Sequence, residues 1–283
     1  MSAPQIRRGF ADLPHGQVHY RRVGEGGRPL VMIHPSPGSS KQLEGLMTEL
    51  AARGRTVIAP DTAGNGDSPP LPLPTPEIPD LAEAAFAAVD GLAPGGFDLY
   101  GSHTGASIAM EIALAHPDRV GRLVIDGMGL YEAGLQSEIL ERYAREIAPD
   151  AEATHLMKVW HFCRDQFLFW PYYNRTAGGR LPDGLPDPDS LHDFVVEVLK
   201  GMRSYHLSYR AAFRHPKRSR LPLLAVPTLV VCSPSDMLYE FFPQVADLVP
   251  GARRAELLAW SDPAHHAHAA EVIGAFLSEE ETP

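Results

Sequence analysis

Short apolar, β-branched runs alternate with amphipathic helical stretches along this chain, and that alternation admits few folds. The runs are PLVMIH (29–34), TVIAPD (56–61), FDLYG (97–101), RLVIDG (122–127), PTLVVCS from Pro227 and AELLAW from Ala255. Strands this uniformly apolar are covered by helices on both faces, which predicts an α/β protein built on a mostly parallel sheet. QVHYRRV, from Gln17, alternates with period two instead and suits an antiparallel edge pair. Between the runs, Leu43, Leu46, Met47 and Leu50 form one helical stripe, and Leu81, Ala85, Val89 and Leu92 another. A chain of 283 residues, 44% of them hydrophobic, is long enough for one large domain carrying an insertion.

The rhythm breaks once. From about residue 129 to 221 no strand pattern appears, while LQSEILERYAREI, THLMKVWHFCRDQFLFW and DSLHDFVVEVLKGMRSYHLSYRAAF all read as helices. A structureless loop of that length is rare, so this interval is expected to be an inserted helical cap (129–221) on a core made of 1–128 and 222–283. The rings of FLFWPYYNR (167–175) serve either the cap's own core or a substrate pocket.

Charge narrows the function classes. Lys and Arg total 25 against 35 Asp and Glu, a formal charge of −10, and no basic run is present. Nucleic acid and anionic membranes are therefore poor partners for this chain, and a small-molecule substrate is expected, on a monomer or a homodimer. The two cysteines, Cys163 and Cys232, form neither a disulfide framework nor a zinc spacing. With no apolar signal core in MSAPQIRRGF, a cytoplasmic protein is the expectation.

The stretch LYGSHTGA (99–106) carries the chemistry. Two small residues, Gly101 and Gly105, frame the middle position of a strand-to-helix turn, the arrangement that presents a nucleophile on a sharp, strained elbow. The middle residue is His103, and Ser102 falls one place early, where its side chain should leave the turn in another direction.

Together with this elbow, HPSPGSS from His34, PDTAGNGDS from Pro60 and AHPDRVGRLVIDG, similar to the stretch that leads into the family's sixth strand, make the chain resemble the α/β-hydrolase family over nearly its whole length. The resemblance implies a mostly parallel α/β-hydrolase sheet flanked by helices with an inserted cap, and no cofactor. It implies oxyanion donors at the backbone N–H groups of Ser36 and Thr104, with Pro35 standing where the family's first loop commonly has glycine. It also implies an acid after the seventh strand, Asp236 in PSD, in preference to Asp126 at the end of the sixth. The triad histidine falls on SDPAHHAH, at His265 or His266. His34, Ser102, Trp160, Phe169, Trp170 and Tyr173 are candidates for the substrate pocket. Arg164 and Arg175 can meet a substrate carboxylate or pair with neighbours such as Asp165. A metal on His265, His266 and His268 lacks a matched carboxylate or cysteine set, so none is expected.

A histidine at the elbow changes the chemistry. Neutral imidazole has a free lone pair near pH 7, so His103 can attack an acyl carbon itself or act as a general base. Hydrolysis of a small ester, lactone, thioester or related acyl compound is the leading expectation. Proton abstraction in a lyase, isomerase or cofactor-free oxygenase is one alternative, and a catalytically silent small-ligand binder is the other.

Overall fold

The computed structural model describes residues 4–279. Its centre is an eight-stranded sheet in the order β1-β2-β4-β3-β5-β6-β7-β8. The strands are β1 (Arg7–Leu13), β2 (Gly16–Val23), β3 (Leu30–Ile33), β4 (Val57–Pro60), β5 (Phe97–Ser102), β6 (Val120–Asp126), β7 (Thr228–Cys232) and β8 (Arg253–Glu256). The first two pair antiparallel and β2 pairs antiparallel with β4, while all later pairs are parallel. Strands β3 to β7 are almost wholly buried, as their unbroken apolar runs require. The last strand spans Arg253–Glu256 and so ends before the LLAW that the sequence assigns to it, although the Leu257 N–H still bonds to the Cys232 carbonyl of β7.

Helices cover both faces. On one side α1 (Glu44–Ala52) and α10 (His265–Leu277) pack Leu46, Met47, Leu50, Ile273 and Phe276 on the sheet. On the other lie α2 (Ile78–Asp90), α3 (Thr104–Ala115) and α9 (Phe242–Leu248). A capping box between Glu77 and Asp80 opens α2, satisfying N–H groups that have no partner in a first helical turn.

Between β6 and β7 the chain forms α4 (Ala133–Arg142), α5 (Thr154–Leu168), α6 (Pro188–Gly201), α7 (Tyr205–Arg214) and α8 (Lys217–Arg220), with short 3-10 turns and one isolated bridge, Phe169 to Arg180. This helical insertion has a core of its own around Tyr143, Phe162, Val198, Tyr205 and Phe213. Among the described residues no helix is long and apolar enough to cross a membrane.

Candidate active site

Strand β5 ends at the elbow. His103 has φ 52° and ψ −108°, a conformation in which a side chain is strained and which its surroundings must impose. They do so by proximity: a Cβ on Gly105 would overlap the backbone carbonyl of Ile33, so only glycine lets α3 start this close to β3. The backbone N–H of His103 is shared between the carbonyls of Asp126 and Gly127, which fixes the bend against the end of β6.

The imidazole points over the carboxyl ends of the strands, where open α/β sheets place their ligands. Its Nε2 lies 2.7 Å from Oδ2 of Asp236, and that carboxylate also accepts the Leu238 N–H at 2.7 Å. Room for the ring comes from Gly127, at φ +64°, where a Cβ would stand 2.8 Å from His103 Cδ2. Burial disfavours a charged ring at His103, but the adjacent Asp236 carboxylate outweighs it and raises the pKa. Burial likewise pushes Asp236 up, and His103 together with the Leu238 hydrogen bond and the nearby Trp260 indole brings it below the ordinary carboxylate value. An ionised acceptor on Nε2 fixes the proton there and leaves the Nδ1 lone pair free. Nδ1 has no hydrogen-bond partner among the described residues and is not among the buried unpartnered atoms, so it opens on the cavity.

That cavity holds about 620 Å³ between the elbow and the helical insertion. Ser36, Ser102, His103, Thr104 and Asp236 form its floor, with Tyr131, Tyr143, Phe167, Tyr209 and Phe213 among its walls. The loop bearing Ser36 is stitched in place: His34 Nε2 accepts the Thr62 N–H at 2.9 Å, and Asp61 takes the Ser40 N–H and hydroxyl. The Ser36 hydroxyl meets that of Ser208 on α7 at 2.9 Å, which ties the loop to the helical insertion.

Several expected residues lie elsewhere. His265 is turned from the dyad, its Nδ1 donating to the Leu258 carbonyl at 2.8 Å, while His266 reaches the cavity edge. Trp260 occupies the ground between: its ring lies 4.3 Å from that of His265, and its indole faces Asp236. His34 is fully buried behind the floor rather than in the cavity wall. Trp170 and Tyr173 pack around Tyr143 inside the insertion, Trp160 lies on its outer surface, and Phe169 pairs with Arg180; none lines the cavity. Arg164 and Arg175 both hold Asp165, each at 2.6 Å, and neither lines the cavity.

Asp126 does not bond to the dyad through its carboxyl, although its backbone carbonyl accepts the His103 N–H and its carboxyl lies near enough to feel the charges of His103 and Asp236. Tyr100 donates to its Oδ2 at 2.5 Å, Oδ1 is unpartnered, and burial raises its pKa to about 7. The one convergence of metal-ligand types among the described residues is His19, Asp61 and Asp67. Arg8 already donates to both His19 Nε2 and Asp67, so this cluster is an internally satisfied ion-pair network.

A model of the α/β hydrolase fold matches residues 28–240. The chain belongs to the α/β-hydrolase fold family. Among related members of the family, a 2-hydroxy-6-oxononadienedioate/2-hydroxy-6-oxononatrienedioate hydrolase of Paraburkholderia xenovorans is 27% identical over 89% of this chain and 85% of its own. A hydrolase of the same description from Pseudomonas putida is 35% identical, but over only 44% of either chain. Among solved structures, an enol-lactonase from Burkholderia xenovorans superposes with a TM-score of 0.72 at 18% identity, covering 96% of this chain and 100% of that one. Epoxide hydrolase A from Mycobacterium thermoresistibile gives 0.74 at 20% identity over 99% and 100%. At such identities the structural likeness speaks for the fold, which this family lends to many reactions.

Proposed function

We propose that this α/β-hydrolase-fold protein hydrolyses a small ester, lactone, thioester or related acyl compound, with His103 as general base and Asp236 as its holder. One observation carries the reading: the imidazole that Asp236 holds stands on the elbow itself, so the hydroxyl nucleophile has lost its seat and water takes its place. Neutral His103 draws a proton from water through Nδ1 as the oxygen attacks the acyl carbon. The N–H groups of Ser36 and Thr104 receive the developing oxyanion, and the leaving group departs with the proton held by His103. Asp236 stabilises the imidazolium between these steps, as the third member does in a Ser-His-Asp site. The named activities of the Paraburkholderia and Burkholderia relatives, hydrolysis and lactone opening, support this class of reaction.

Because the same lone pair can take a proton from carbon, the missing hydroxyl also favours a second reading, proton abstraction from a carbon acid without hydrolysis. A panel of aryl esters, lactones and thioesters separates the two. Hydrolysis is expected, lost by about 100-fold or more in His103→Ala. Deuterium exchange into a ligand without cleavage would replace hydrolysis by the second reading. Stable acylation of His103, seen as a mass increase on its peptide, would make it the nucleophile instead. Saturable binding with no turnover would leave a silent binding protein.

A further inference from the structure

The walls of the cavity hold a buried amine that the hydrolytic reading does not use. Lys217, the first residue of α8, is 7% exposed. Its Nζ donates to the Ala212 carbonyl of α7 and lies 5.8 Å from the centre of the Tyr131 ring. It separates the main cavity from a side pocket of about 220 Å³, a partition it shares with Gly129, Tyr131 and Phe213.

Among the described residues no carboxylate pairs with this ammonium. The charged neighbours on the elements around it are committed to one another. His215 Nε2 meets Glu111 of α3 at 2.9 Å, Arg220 donates to both Glu111 oxygens, and Arg218 holds Glu132. The other lysine on the cavity wall, Lys41, is matched by Glu44 at 2.9 Å and Asp193 at 3.5 Å. Buried charges are ordinarily paired, so a lone ammonium in an aromatic wall beside an open chamber lacks its counter-ion.

We propose that Lys217 is the anion anchor of this chamber, binding the carboxylate of a substrate whose body is aromatic or apolar. The proposal deepens the reading of the cavity as the substrate site and assigns the substrate class: an acyl compound that carries a free carboxylate away from its reacting carbon. Tyr131, Tyr143, Tyr209 and Phe213 supply the apolar surface for the body of such a molecule. Burial alone draws the ammonium down to about 7 in the free protein. A bound carboxylate would restore its proton, so binding just above neutrality should take up hydrogen ions.

The test compares 3-phenylpropanoate with 3-phenylpropanamide, acids and amides of one shape, by calorimetry in two buffers of different ionisation enthalpy. The acid should bind at least about 10-fold more tightly, with proton uptake, and both features should vanish in Lys217→Met. Lys217→Gln, which keeps a donor for the Ala212 carbonyl, should behave the same way if the methionine variant fails to fold. Equal affinity for acid and amide, no saturable binding of the acid, or a preference that survives both substitutions would overturn the anchor. So would trapping of 3-phenylpropanal on Lys217 by cyanoborohydride, since the amine would then be a nucleophile. Failure of the hydrolytic reading is scored separately, by ester turnover in His103→Ala; a chain that hydrolyses nothing yet prefers the acid through Lys217 would keep the anchor alone.

Discussion

At the scale of single residues, the elbow imidazole is a replacement that its neighbours accommodate. Restoring the usual hydroxyl should not restore a triad, because His265 is tied to the Leu258 carbonyl and Trp260 stands between it and Asp236. His103→Ser is therefore expected to hydrolyse esters at least about 100-fold more slowly than the parent and to resist fluorophosphonate labelling. Labelling at wild-type serine-hydrolase speed would show a base within reach of position 103. Gly127→Ala should act on the same ring from the other side. Its methyl group meets His103 at 2.8 Å in a left-handed backbone, which costs about 1–3 kcal/mol in chemical unfolding and disturbs the contact with Asp236. Much of this site was legible: LYGSHTGA put His103 on the turn, and PSD put Asp236 at the end of its strand. Trp260 and Lys217 were not. The first looks like the end of a strand, and the second sits in HPKRSR, where nothing in the pattern sets it apart from its charged neighbours; only tertiary packing brings the one beside Asp236 and buries the other.

At the scale of elements, hydrophobic period found the strands and the insertion, because a strand buried on both faces and a one-sided helix leave different patterns. It could not tell which rings of the insertion face inward to one another and which face the substrate, since both are apolar positions on the same helices. Trp170 and Tyr173 thus pack on Tyr143, while Phe167 and Tyr209 line the chamber. The joint that returns the insertion to the core is equally silent in the sequence. Glu111, in the middle of α3, accepts Arg220 at 2.8 and 2.7 Å and meets His215 at 2.9 Å, and these contacts hold its carboxyl down to about 2. Removing it leaves two donors facing a buried gap, so Glu111→Ala should cost about 2–4 kcal/mol and lower the unfolding midpoint. If the joint also fixes the cavity wall that follows it, KM for an ester should rise more than kcat falls, whereas a purely structural loss would leave both unchanged in the folded fraction.

For the whole molecule, the buried titratable groups predict an unusual dependence of stability on pH. Asp61, Glu111 and Asp236 titrate below their ordinary values, so the stability they confer is present above about pH 4 and lost as pH falls through their native values. Asp126 has the opposite sign. Its native value of about 7 lies above the unfolded one near ~4, so its contribution is complete below about pH 4 and drains away as pH rises to about 7. His103, also raised, adds to that loss from about pH 6.5 upward. Lys217 reverses the trend: with a native value of about 7 and an unfolded one near ~10.4, it costs stability at and below neutrality and ceases to do so as pH climbs. The sum is a maximum near pH 4–5, a trough near 7 and a partial recovery towards 9, with Asp126 and Lys217 each contributing at most about 4 kcal/mol to the trough. Chemical unfolding across this range should trace that shape. Asp126→Asn should remove most of the descending limb, leaving the part that His103 contributes above about pH 6.5, and Lys217→Met the ascending one, whereas a single broad maximum at neutrality would mean that water or a bound ion already compensates both groups. A carboxylate ligand held by Lys217 should raise stability at and below neutrality more than at about pH 9, because it binds the native state in which the ammonium is charged and unpaired.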